Sequence, residues 1–450
     1  MSVFRVGSNK SSVNNFPSVR PTLDLDFANS KTLDPRITFT RASGGSYTGA
    51  DGLIKYAGVN EARFDHDPVT GESLGLLIEE SRSNLTPYSR YADTQWTFNF
   101  VSLGDQTKMA IDGSTVTTFL TDTTTSFHRV NRTVSGSYVA NELVTFSFYV
   151  ANPASSNIRG IVARVRTSAG GQSVNIVVSD SGANSTYTFS SSNPFGANPP
   201  ADITADNFSA INVGNNWTRI SFTGAVSSVN TTYTQWDIGF STDVATDSGA
   251  GTANSQIFID SVQLEAGAFP TSYIPTQAST RTRDKDTAII TQNNFSWYNG
   301  TEGTILLEHT NFPFNDNAPI GYPAFGVAGT ASGDSLFTIQ YLITSRFGVG
   351  YFLVRNGDVL INDQVEINFG LPATGSKVSF AFKKNNFAAA RNGILMGTDN
   401  LGVVPDKINV SMLIIGLNNI SSNQRINCHC KYLIYYPKRL PDAQLQALTK

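Results

Sequence analysis

Residues 143–150 read Leu-Val-Thr-Phe-Ser-Phe-Tyr-Val. From Thr145 to Val150 large apolar side chains alternate with others at period two. In an extended chain successive side chains point to opposite faces, so this run is a strand with one face buried and one wet. That is the pattern of an antiparallel sandwich. Similar runs recur in both directions: Ile158–Thr167, Val174–Ser179, Trp217–Phe222 and Gln256–Glu265 nearby, then Gly303–His309, Leu336–Ile343, Phe347–Arg355, Lys377–Lys383 and Ile426–Tyr436. Gly, Asn, Asp and Pro separate them. Helical periodicity is confined to the end, where Pro441 and Asp442 open an eight-residue stretch to Leu448 that suits a helix N-terminus. Such a helix would cap a sheet edge or close a core.

Composition agrees. The chain has 450 residues, 15% charged and 11% aromatic, with a net charge of −3. So few charges with so many aromatics exclude disorder, and the absent basic excess argues against nucleic-acid partners. The longest apolar runs fall far short of a bilayer span, and Met1–Ser12 carries no apolar signal core. Membrane insertion and secretion are therefore not expected. Cys428 and Cys430 flank His429. In a strand the two thiols share a face, and with four histidines in the chain a zinc site lacks ligands. They read as strand thiols of a protein matured in a reducing cytoplasm.

Two seams divide the chain. Residues 1–85 are turn-rich, with Pro17, Pro21, Pro35 and Pro68, and a hairpin is expected around Pro68-Val69-Thr70-Gly71. The second seam combines Pro270, Pro275 and the charged run Arg281–Asp286. The expected organisation is thus a segment 1–85, a sandwich over 86–283 and a second over 284–450. The class is all-β: an irregular or hairpin N-terminal segment and two antiparallel β-sandwiches.

Three groups of motifs carry a resemblance. Pro21–Phe27, Ile37–Ser43, Arg63–Glu72 and Gly75–Leu85 resemble the start of tailed-bacteriophage tail-fibre and fibre-like virion structural proteins. Asn84–Ser89 with Gln95-Trp96, Trp217–Phe222, and Phe258–Glu265 followed by Pro270–Thr276 resemble the entry, a later strand and the exit of a carbohydrate-binding-module jelly roll. Val378–Lys383, Phe387–Gly393 and Tyr435–Thr449 resemble a concanavalin A-like or laminin G-like sandwich. The resemblance implies a virion component on the tail or capsid exterior, made in the host cytoplasm. Residues 1–85 would then attach it to other virion proteins. It also implies a homotrimer, although no heptad supports a coiled-coil stalk. In jelly-roll modules of this kind an Asp placed like Asp260 helps hold a structural calcium. No other cofactor is implied.

Catalytic signatures do not assemble. No Glu-x-Asp-x-x-Glu triplet lies in residues 288–450, no Gly-x-Ser-x-Gly elbow occurs, and no phosphate loop ends in Lys-Ser/Thr. The densest acidic group, Asp65-His66-Asp67 with Glu72, Glu79 and Glu80, reads as hairpin chemistry with its charges facing water. The expectation is a protein without enzymatic activity. A host-surface glycan would need aromatic rings for its C–H faces and polar groups for its hydroxyls. Trp236, Tyr233, Tyr187 and Tyr351 are the candidates, with Tyr233 and Trp236 on opposite faces of their strand; Trp96 and Trp217 read as core. The alternatives are a purely structural head or tail decoration without ligand, and a polysaccharide depolymerase.

Overall fold

The computed structural model describes residues 17–450 apart from 91–94, 122–125, 155, 168–169, 180–184, 191–206, 227–231, 243–254, 311–320, 329–335, 345–346, 356–364, 369–375, 403, 405–411 and 416–426. Within these residues the chain is two antiparallel β-sandwiches, as the period-two runs require.

The central sandwich has two six-stranded sheets. One runs in the order Phe208–Asn212, Thr218–Ala225, Leu143–Ala151, Gln256–Ala266, Thr115–Thr121, Val101–Met109. The other runs Thr186–Ser190, Gly170–Ser179, Gly160–Thr167, Thr232–Ser241, Arg129–Ser137, Thr97–Asn99. Between them lies a core that includes Trp96, Phe119, Phe146, Phe148, Phe222 and Trp236. Asn84 locks the entry to the exit. Its amide donates to the carbonyls of Val262 and Ile274, and its oxygen accepts from the N–H groups of Thr86 and Leu264. Ser89 and Thr276 exchange two further backbone–side-chain bonds, each at 2.9 Å.

The run Leu143–Ala151 departs from the one-wet-face expectation. Val144, Phe146, Phe148 and Val150 enter the core, but Thr145, Ser147, Tyr149 and Ala151 are also buried. The exit segment and an N-terminal hairpin, Gly45–Thr48 with Ile54–Ala57, lie over that outer face. Ile54 packs there with Ile111, Tyr149, Ala151, Trp217 and Phe258.

The second sandwich draws on both ends of the chain. Its eight-stranded sheet runs Ile394–Asp399, Phe387–Arg391, Ser376–Lys383, Glu302–His309, Cys428–Tyr436, Ser73–Ile78, Phe64–His66, and Leu23–Asp26 also pairs with Cys428–Tyr436. The facing sheet begins with Ile37–Thr40 on Thr287–Thr291 and continues through Met412–Ile415, Gly321–Ala328, Leu336–Thr344, Phe347–Arg355 and Val365–Asn368. Leu23, Leu25, Phe27, Phe39, Leu76 and Ile78 are core residues beside Phe380, Leu433 and Tyr435.

This corrects the boundary expected at residue 85. The described residues 17–85 do not stand apart as an irregular arm: the strands Leu23–Asp26, Ile37–Thr40, Phe64–His66 and Ser73–Ile78 complete the sandwich formed by 287–448. The turn reading of 67–71 holds. Asp67 Oδ1 accepts from the N–H groups of Val69 and Thr70, and Gly71 has a φ of 71°. A few residues on, Gly75 has a φ of 88°, and a Cβ there would stand 2.2 Å from the Cys430 carbonyl oxygen. Only glycine lets the two strands close at that point. The terminal helix Asp442–Leu448 forms as expected and packs Leu445 with Ala381, Ala388, Ala390, Tyr436 and Leu440. It covers a sheet face rather than an edge.

Candidate functional site

The charges of the two seams meet in one buried network. Arg63 Nη1 donates to Glu79 Oε2 at 2.7 Å, to the Ser46 carbonyl and to Ser272 Oγ, while its Nη2 pairs with Asp286. Arg41 Nη1 reaches Asp286 Oδ1 at 3.0 Å, and its Nη2 donates to the carbonyls of Gly58 and Glu61. Arg283 Nη1 lies 3.1 Å from Glu79 Oε2. Glu79 and Asp286 are further tied through their backbones, N–H to O at 2.9 Å.

Arg41, Arg63, Arg283, Glu79 and Asp286 are all buried. The expectation that this acidic group faces water fails for Glu79. Burial opposes its ionisation, but Arg283, Arg63 and two bonds from Ser272 hold its carboxyl well below the ordinary range. Burial pushes the Arg41 and Arg283 guanidiniums down, whereas Asp286 and Glu79 outweigh burial at Arg63 and raise it. A buried pair of this kind contributes little net stability, yet removing one member leaves an uncompensated charge. The network fixes how the N-terminal strands, the central exit and the second sandwich sit together.

Two cavities flank this junction, and Tyr273 borders both. The larger, about 490 Å3, has Tyr56, Thr276, Gln277, Ser279, Thr280 and Arg281 on its walls. Tyr56 sits on the N-terminal hairpin opposite Ser46 and is 50% exposed. Burial around its hydroxyl, with Asp112 as the next influence, nevertheless pushes its pKa up to about 12. Residues 277–282 are exposed. An aromatic side chain therefore stands among hydroxyl, amide and guanidinium groups.

The smaller cavity, about 260 Å3, lies where the hairpin, the outer face of the central sandwich and the second sandwich converge. Tyr47, Tyr149, Arg219, Phe269, Asn427 and His429 line it, with Asp65 and Glu79. His429 Nε2 donates to Asp65 Oδ2 at 2.7 Å, and its Nδ1 faces Thr310 Oγ1 at 3.1 Å. That same hydroxyl oxygen accepts the His429 backbone N–H at 3.0 Å. Asp65 Oδ1 also accepts from the Thr48 N–H. Arg219 Nη2 donates to Ser147 Oγ at 3.1 Å and to the Thr271 carbonyl at 2.8 Å, and its guanidinium lies 5.5 Å from the centre of the Tyr149 ring.

The aromatic candidates from sequence sit elsewhere. Trp236 and Tyr233 are core residues, 0% and 1% exposed, and Tyr187 is buried in the same core. None of the three offers a ring to a surface sugar. Tyr233 and Trp236 share a face because Thr234 is a bulge: against the single step from Arg166 to Thr167 the ladder jumps from Gln235 to Tyr233. One extra residue reverses the alternation that the spacing had implied. Tyr351 lies on the strand Phe347–Arg355, and its side chain is outside the described residues. Trp96 and Trp217 are buried as expected.

Asp260 is buried with both carboxylate oxygens held by Arg90, Nε to Oδ1 at 3.0 Å and Nη2 to Oδ2 at 3.1 Å. Arg90 thus supplies a cation to the carboxylate for which the resemblance implied calcium. Burial raises the Asp260 pKa, and Arg90 opposes that rise. Among the described residues no three His, Cys, Asp or Glu side chains gather as a metal site would need. Cys428 and Cys430 are free and buried, and burial pushes both thiols up.

Sequence reasoning missed Tyr56 and Arg219. Tyr56 belongs to the segment read as an arm, and Arg219 follows Trp217-Thr218 in a strand read as core. Neither position carries a local signal, because each site forms only when distant segments meet.

No protein-family model matches the chain, and no curated protein does. Solved structures do show similarity to parts of it. The CBM40 domain of the Ruminococcus gnavus IT-sialidase is 16% identical over 34% of this chain and 84% of that one, with a TM-score of 0.29. The binding domain of botulinum neurotoxin DC, solved with rat synaptotagmin II, is 18% identical over 37% of this chain and 40% of its own, with a TM-score of 0.28. The NanB sialidase from Streptococcus pneumoniae is 12% identical over 35% of this chain and 26% of its own length, with a TM-score of 0.28.

Proposed function

We propose that this chain is a non-catalytic appendage protein of a tailed-phage virion that contacts host-surface glycan at the larger junction cavity. The virion part of this reading rests on the motifs of residues 20–90. The glycan part is carried by one observation: the half-exposed Tyr56 borders a cavity of about 490 Å3 whose walls also carry Thr276, Gln277, Ser279, Thr280 and Arg281. That volume falls in the range of small-ligand sites. A ring for a sugar's C–H face and hydroxyl, amide and guanidinium groups for its hydroxyls are what neutral glycan recognition requires.

The resemblance supplies the remaining parts. Display on the virion exterior in several copies, as a homotrimer, would multiply a weak site into useful avidity. Because Leu23–Asp26, Ile37–Thr40, Phe64–His66 and Ser73–Ile78 belong to the second sandwich, attachment to other virion proteins through residues 17–85 would use the exposed edges and turns of these strands.

The test is a glycan array probed with the full chain, both free and clustered on a multivalent carrier, with light scattering to count subunits. Binding to a defined set of neutral glycans, lost in Tyr56→Ala, supports the reading. Silence at every avidity favours a purely structural decoration. Shortening of host polysaccharide during incubation would instead make the protein a depolymerase.

A further inference from the structure

The smaller cavity differs from the larger in its electrostatics. Two carboxylates line it, and both are committed: Asp65 to His429 and the Thr48 N–H, Glu79 to Arg63 and Arg283. Of its two basic side chains, His429 is engaged by Asp65. Arg219 is different. Its bonds go to a hydroxyl and a carbonyl, and no carboxylate of the described residues lies within ion-pair distance. Its Nε is buried and has no acceptor. A half-buried guanidinium that lines a cavity without a carboxylate partner is a ready counter-charge for an anion entering that cavity.

Size and lining narrow the ligand. The cavity, about 260 Å3, has room for a sugar ring. Tyr47, Tyr149 and Phe269 provide aromatic surface, and Asn427 provides an amide.

We infer that the smaller junction cavity is a subsite for a single carboxylate-bearing sugar residue, with Arg219 anchoring the carboxylate. The inference deepens the glycan-contact reading and rests on it, but it names a different cavity and a different ligand class. Arg219 supplies charge-assisted donors to the carboxylate while the aromatic walls take the ring.

The test uses the full chain and four probes: glucuronate, galacturonate, and the methyl ester of each. Titration calorimetry of the unaltered protein isolates the carboxylate, since the ester keeps the ring and removes the charge. The expected result is that each acid binds at least about tenfold tighter than its ester, and that Arg219→Gln abolishes the difference. Arg219→Lys keeps the charge and should restore part of it, which separates anchoring from a folding defect. A thermal melt of each variant checks the fold. Equal binding of acid and ester overturns the inference, as does an Arg219→Gln variant that keeps the preference. Neutral glycans that bind while neither acid does would overturn the acidic subsite and leave the glycan-contact reading standing. No saccharide bound at concentrations on the order of 10 mM, together with a silent array, would overturn both.

Discussion

The two sandwiches share a construction and differ in where their strands come from. The central one is assembled from a continuous stretch, with Asn84, Ser89 and Thr276 clipping its beginning to its end. The second is discontinuous: Leu23–Asp26 pairs with Tyr432–Tyr435, and Ile37–Thr40 with Thr287–Ile290. One sandwich is thus nested inside the other's chain. The nesting explains the buried ion network. Where the chain passes between sandwiches it carries Arg63, Glu79, Arg283 and Asp286, and folding brings these onto one another across more than 200 residues of sequence. A pairing so distant must await the central sandwich or bear a long loop-closure cost.

The largest expected effect comes from removing the contribution of one end. A chain starting at residue 84 lacks the strands Leu23–Asp26, Ile37–Thr40, Phe64–His66 and Ser73–Ile78, so the second sandwich should fail to fold. Residues 84–277 alone should still melt cooperatively. Circular dichroism and calorimetry of the two fragments check this, and a folded second sandwich in the first fragment would break the contrast. Next in size is the network itself. Glu79→Gln or Asp286→Asn leaves buried arginines underpaired and should cost about 3–5 kcal/mol. Calorimetry should show the two sandwiches, coupled in the unaltered protein, melting as separate transitions. The Glu79 carboxyl is held below its ordinary 4.5, so its contribution is complete above that pH and drains only as the solution is acidified further.

The same contrast decides what the sequence could show. Period-two alternation revealed the strands of both sandwiches, and the motifs around Asn84 and Ile274 marked a real clip. The dependence of the second sandwich on residues 23–78 was hidden, because no local pattern names a strand's partner. Turn-rich sequence with short strands looks irregular until the partner is supplied. Trp236 and Tyr233 were misread for a related reason. Parity counting assumes an unbroken ladder, and the bulge at Thr234 breaks it. Charge clustering at the seams was visible, but whether those charges met water or each other depended on the nesting.

A smaller effect should separate the sandwiches by pH. His309, at the end of Glu302–His309 in the second sandwich, is buried, and burial lowers its pKa from 6.5 to about 4, only partly offset by its bond to the Thr310 carbonyl. A depressed histidine keeps the folded state neutral while the unfolded chain takes up protons. Stability should therefore be complete above pH 6.5 and fall by up to about 3 kcal/mol as the pH drops toward 4. Melting curves across that window should show the loss in the second sandwich, and His309→Gln should flatten it; an unchanged slope would assign the proton uptake elsewhere. The smallest effect on stability, and the sharpest on function, belongs to Tyr56. Half of its surface is exposed, so Tyr56→Ala should cost only about 1 kcal/mol of stability. The hairpin that carries it bridges the two sandwiches, packing through Ile54 on the central one while Thr48 and Ser46 meet Asp65 and Arg63 beside the second. Loss of glycan binding with a melting temperature lowered only slightly would mean that the nested construction exists to shape a cavity neither sandwich could form alone. An unchanged affinity would reduce the hairpin to a structural strap.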